Sequence, residues 1–116
     1  MRHEVTPADT ALAVGSGDVE VLATPRLITW FEYETAQLAL ASLGPGQTSV
    51  GTSVRIAHRL PTRVGDTVDI AADGPEIDGR HLRFRVRATN SAGQLIADGE
   101  LERVAVDRER FLANVP

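Results

Sequence analysis

With 116 residues the chain has room for one modest hydrophobic core, so a single domain spanning residues 1–116 is expected. A hydrophobic share of 42% beside 24% charged residues excludes a disordered chain, and a net charge of −4 speaks against a surface that neutralises nucleic-acid phosphates. Cysteine is absent, which excludes a disulfide framework, a thiolate nucleophile and a Cys-ligated metal.

In chain order, the first residues carry no apolar run behind basic residues, and no stretch reaches membrane-spanning length, so a cytoplasmic protein is expected. His3, Val5 and Ala11 to Val14 read as a short strand, followed by the flexible loop Gly15-Ser16-Gly17-Asp18. Val19 to Leu22 delivers the chain, extended, to its longest regular stretch. Residues Thr24 to Leu43 predict a multi-turn helix. Thr24 suits the N-cap, Pro25 suits the first turn, and Gly44-Pro45-Gly46 stops it. At 100° per residue Glu32 shares a stripe with Ile28, Ala36, Ala39 and Leu43. A carboxylate on an apolar stripe is costly unless paired, which makes Glu32 a candidate for function.

After the helix the apolar period changes from 3.6 to 2. Val50, Thr52, Val54, Ile56 and His58 fall on one face of a strand, with Gly51, Ser53, Arg55, Ala57 and Arg59 on the other. Val68, Ile70 and Ala72 alternate in the next strand, which a longer turn from Asp73 to Gly79 ends. Leu82, Phe84, Val86 and Ala88 alternate with Arg83, Arg85 and Arg87. Asn90-Ser91-Ala92-Gly93 reads as a hairpin loop. A last strand runs from about Gln94 to Val106, with Asp98-Gly99 suggesting a bulge, and Asp107 is placed to cap a short terminal helix. One long helix with apolar residues over most of its circumference, followed by strands on short turns, implies an α+β fold. An antiparallel sheet curls around the helix, and the leftover apolar surface favours a dimer.

These residues resemble a known family. Val21-Leu22-Ala23-Thr24-Pro25 with Glu32, then Thr48-Ser49-Val50-Gly51, His58, Pro61-Thr62 and Gly65, are similar to the fluoroacetyl-CoA thioesterase-like family of hotdog-fold thioesterases. The Asp78-Gly79 turn, Leu82-Phe84-Val86 and Gly93, Ile96 and Gly99 continue the likeness. The resemblance implies a hotdog fold, hydrolysis of a small or medium acyl-CoA, a homodimer with sites near the subunit interface, and no metal or redox cofactor. It implies Thr24, Glu32 and His58 as the catalytic set and Gly51 as part of the substrate-binding site. The fluoroacetyl-specific enzyme carries aromatic residues ahead of its Thr as a lid. Gly15 to Ala23 holds none, so fluoroacetyl specificity is not expected.

Each residue also has a plainer reading: Thr24 as a cap, Glu32 as a carboxylate held by an Arg, His58 as a packed histidine and Gly51 as a bulge. Arg83, Arg85 and Arg87 with Arg55 and Arg59 suit either CoA phosphates or a solvated face. Thr24 and Glu32 lie about 12 Å apart along a helix, so His58 must bridge them or the site must draw on both subunits. Thr24 attack with His58 as base, and Glu32 attack or water activation, both stay open. A non-catalytic acyl-CoA-binding hotdog dimer is the alternative function. His3, His58 and His81 are too scattered for a metal site.

Overall fold

The computed structural model describes all 116 residues, Met1–Pro116. In chain order the elements are β1 (Arg2–Glu4), a 3-10 turn (Pro7–Asp9), α1 (Ala11–Val14), α2 (Thr24–Ala39), a second 3-10 turn (Leu40–Ser42), β2 (Gln47–His58), β3 (Thr67–Asp78), β4 (His81–Asn90), β5 (Leu95–Asp107) and α3 (Arg108–Ala113). The five strands form one antiparallel sheet in the order β1-β3-β4-β5-β2, and α2 packs across one face. This is the expected α+β hotdog arrangement. No helix is long and apolar enough to cross a membrane.

The core lies between α2 and the inward row of each strand. Leu82, Phe84, Val86 and Ala88 are buried while Arg83, Arg85 and Arg87 face out, as period-2 alternation requires. From the helix come Leu27, Trp30 and Phe31, and from β5 Ala97 and Leu101. Each fully buried large side chain contributes about 1.5–3 kcal/mol and an exposed ion pair about 0–1 kcal/mol, so the core carries more of the stability than the surface pairs.

Several elements depart from the sequence-based expectation. Ala11 to Val14 is a helical turn and not a strand, because the Thr10 hydroxyl accepts from the Ala13 N–H and Gly15 closes the turn at φ 88°. The α-helical part of the long helix ends at Ala39 and tightens to 3-10 before Leu43. The stretch taken as a turn after Asp73 continues β3 to Asp78, with a register shift between Asp73 and Glu76. Gly99 causes no bulge. It faces Ile56 and Val86 in register, and a Cβ there would overlap the Arg55 carbonyl oxygen. Asp107 caps α3, accepting from the Arg110 N–H as expected. The His3 ring stacks on Trp30 with centroids 4.3 Å apart and planes 4° from parallel.

Candidate active site

Thr24 is the first residue of α2, and the cap position belongs to Ala23. The Thr24 hydroxyl makes no capping bond. Its Oγ1 lies 2.8 Å from Nδ1 of His58, the last residue of β2. This corrects the cap reading for a physical reason: the preceding chain is already fixed by backbone bonds from Leu22 to Thr62 and from Ala23 to Asp9, which leaves the hydroxyl free to choose a partner. Burial pushes His58 below the ordinary imidazole value of 6.5, with the Leu60 backbone pulling weakly the other way. A neutral imidazole beside an exposed hydroxyl is the protonation state that accepts a proton.

Glu32 is not on the buried stripe of α2. The buried residues are Leu27, Trp30, Phe31, Thr35 and Ala39, whereas Ile28, Glu32 and Ala36 lie along the margin, half-buried. The Glu32 side chain is 45% exposed. The sheet covers only part of the helix, and this margin faces Gly51 of β2. A Cβ on Gly51 would sit 2.8 Å from Glu32 Oε2, so the glycine makes room for the carboxylate.

Strict alternation puts Gly51 and His58, seven residues apart, on opposite faces, and so the sequence placed them. The structure puts both inward. Gly51 faces Arg103 but Ser53 faces Glu102, so Thr52 is one extra residue on β2. This bulge shifts the phase: Ser49 and Gly51 join the row of Val54, Ile56 and His58, while Val50 pairs with Val104 on the outer face.

Sequence reasoning missed Arg103. It is the only charged side chain among the buried residues, 7% exposed, and belongs to the inward row of β5 with Leu101 and Ala105. Its Nε donates to Ser49 Oγ at 2.8 Å and its Nη2 to the Ser49 carbonyl at 3.1 Å, while Nη1 is 4.0 Å from Glu32 Oε2. Burial pushes its guanidinium below the usual arginine value, and Glu32 pulls it back up. The signal was available, since an arginine in phase with an apolar row is as anomalous as a carboxylate in one.

The outer arginines are engaged elsewhere. Arg83 pairs with Glu102 at 3.1 Å, Arg87 with Asp73 at 2.8 Å, Arg59 with Asp98 at 2.8 Å and Arg55 with Glu100 at 3.9 Å. A depression of about 660 Å³ lies among them, on the face away from Thr24, Glu32 and His58. Four of the five arginines on this solvated face are paired with neighbouring carboxylates, and Arg85 lines the depression.

Residues 5–109 match the model of the fluoroacetyl-CoA-specific thioesterase (FlK) family. The fluoroacetyl-CoA thioesterase of Streptantibioticus cattleyicolor is 32% identical over 96 residues, 83% of this chain and 68% of that protein. The chain belongs to the fluoroacetyl-CoA-specific thioesterase family. Among solved structures, a mutant of the fluoroacetyl-CoA-specific thioesterase FlK in complex with fluoroacetate and CoA aligns with TM-score 0.88 at 28% identity, covering 97% of this chain and 92% of that one. A Thermus thermophilus thioesterase superfamily member aligns with TM-score 0.90 at 27% identity, over 97% and 83% of the two chains. Ahead of Thr24 the exposed large apolar residues are Met1, Leu12, Val14 and Val19, none of them aromatic.

Proposed function

We propose that this chain is a cytoplasmic acyl-CoA thioesterase, one hotdog domain over residues 1–116 that works as a homodimer. Thr24, His58 and Glu32 form its catalytic set and Gly51 lies against the acyl group. The observation that carries the reading is the 2.8 Å contact between Thr24 Oγ1 and His58 Nδ1 at the start of α2. On the Thr24 route Oγ1 attacks the acyl carbon, the C–S bond breaks and the departing CoA thiolate takes a proton; water then cleaves the acyl ester, releasing the free acid and restoring Thr24. His58 is poised to accept the Thr24 proton and return it to the thiolate, while N–H groups of the first turn of α2 face the developing oxyanion. The second route has Glu32 attack or activate water, and trapping an acylated peptide in a single turnover separates the two.

Two features support a dimer. β2 is a 12-residue edge strand paired only with β5, and an open edge of that length invites a second copy. The two polar clusters are also far apart in one chain. Thr24 and Glu32 differ by about 12 Å of helix, and Gly51 and His58 by roughly 20 Å of strand. Antiparallel pairing of two β2 edges about a two-fold axis at Val54–Arg55 brings His58 of one copy opposite Gly51 of the other. Thr24 and His58 then meet the Glu32 of a second copy.

The test is release of free thiol from a panel of acyl-CoAs by the wild type and by Thr24→Ala, Glu32→Gln and His58→Ala. Losses of about 10²–10⁴-fold in the variants are expected. Binding of acyl-CoA without thiol release by the wild type would replace the enzyme with a binding protein. Full activity in all three variants would remove the site assignment instead.

A further inference from the structure

We propose that Arg103 is a positioning residue that holds the Glu32 carboxylate over Gly51, clamped in turn by Ser49. The inference rests on the reading of Glu32 as a catalytic group. A buried guanidinium is expensive: removing it from water costs several kcal/mol, and a well-packed apolar side chain of similar volume usually serves stability as well or better. Arg103 recovers only part of that cost. Two of its nitrogens bond, both to Ser49, through the hydroxyl at 2.8 Å and the carbonyl at 3.1 Å. Two bonds to one residue fix the plane and direction of the guanidinium. The third nitrogen, Nη1, is left pointing at the one carboxylate within reach, Glu32 Oε2 at 4.0 Å.

Gly51 completes the arrangement. A Cβ there would lie 2.8 Å from Glu32 Oε2 and 3.7 Å from Arg103 Nη1, so the missing side chain opens the space that the two charges share. At 4.0 Å, in surroundings where Arg103 is 7% exposed, the attraction is screened far less than at the surface. It restrains the carboxylate of a side chain that is 45% exposed. No outer arginine has this geometry, because each of those that pairs does so with a carboxylate on an adjacent strand at the same face.

Arg103→Met removes the charge at similar volume, and Arg103→Lys keeps the charge without the fork on Ser49. Arg103→Met is expected to fold with a melting temperature at or above that of the wild type and to lose on the order of 10²-fold in kcat with KM within about twofold, since a misplaced group costs turnover more than binding. Arg103→Lys and Ser49→Ala are expected to fall between it and the wild type. Crystal structures of the wild type and Arg103→Met provide a second readout that needs no turnover: the Glu32 carboxylate leaves Gly51 in the variant. A folded Arg103→Met with unchanged kcat, or one whose Glu32 still lies over Gly51, overturns the proposal. A wild type that releases thiol from no acyl-CoA ends the thioesterase reading, and the two crystal structures then decide the positioning role on their own.

Discussion

The two faces of the sheet use arginine in opposite ways. On the outer face Arg55, Arg59, Arg83 and Arg87 keep between 49% and 82% of their side chains in water, and each has a carboxylate on a neighbouring strand. On the inner face the Arg103 side chain is 8% exposed, is tied to Ser49, and reaches Glu32 with donors to spare. Phase along a strand decides between these fates, because Arg103 is one residue from Glu102, which faces out to Arg83. The outer pairs satisfy one another and need nothing more. The inner group is oriented yet incompletely satisfied, a combination that stability alone does not select and that a site for reactive chemistry does.

The sharpest break of that comparison concerns the inner face. If Thr24 and His58 of one copy work with Glu32 of another, Glu32→Gln and His58→Ala are each inactive alone, but mixing and refolding them together restores activity. Half of the dimers are then mixed, each with one intact site of two, so about a quarter of wild-type activity is expected in a thiol-release assay. No recovery in the mixture would place the whole set in one chain.

Glycines separate packing from positioning next. Gly99→Ala brings a Cβ against the Arg55 carbonyl oxygen and within 3.0 Å of Ile56 Cα, all of it backbone that cannot step aside. A loss of roughly 3 kcal/mol is expected in denaturant unfolding. Gly51→Ala meets only the end of the Glu32 side chain, which can swing away. Its stability is expected to stay within about 1 kcal/mol of the wild type while kcat falls. Equal losses of stability in the two variants would mean that Gly51 is a packing glycine and nothing more.

Much of this was legible in the sequence, and what was not has physical reasons. The switch of period after the long helix, the Leu82-to-Ala88 alternation and the Asp107 cap are local signals, and each gave its element correctly. The bulge at Thr52 is not local, since it exists only in the pairing with β5, so alternation put Gly51 on the wrong face. Local sequence leaves Thr24 two readings, a cap or a site residue, because a hydroxyl at a helix start has two satisfactory partners, and its contact with His58 depends on a strand end 34 residues away. Glu32 was singled out for burial that it only half possesses. The better clue is its charged neighbour on β5, and that required the strand register.

A smaller effect comes from the histidines of the inner face. Burial lowers His3, helped by the N-terminal ammonium and opposed by Asp9 and Glu34; burial also lowers His58. For a histidine whose value falls on folding, the unfolded chain binds protons more readily. Stability is therefore fully present above pH 6.5 and is lost as pH falls toward the lowered folded value. His3→Phe keeps an aromatic ring on Trp30 but cannot titrate. The melting temperature is expected to drop less between pH 7 and pH 5 in this variant than in the wild type, and parallel curves would rule the His3 contribution out.

The smallest effect belongs to the outer face, and its smallness is the point. Arg87 Nη1 and Asp73 Oδ2 are 2.8 Å apart, a closer approach than Arg103 makes to Glu32, yet their side chains are 49% and 72% exposed. Distance alone would rank this pair above the inner one. Exposure reverses the order, because water screens the attraction and holding two long side chains costs entropy. A double-mutant cycle with Arg87→Gln and Asp73→Asn is expected to give a coupling of about 0.2–1 kcal/mol that fades in 1 M salt, where the Debye length is near 3 Å. Thiol release is expected to stay at the wild-type rate in all three variants. A coupling above that range, or a loss of turnover, would show that the outer lattice of charges reaches through the sheet to the site, and the division of labour between the two faces would fall with it.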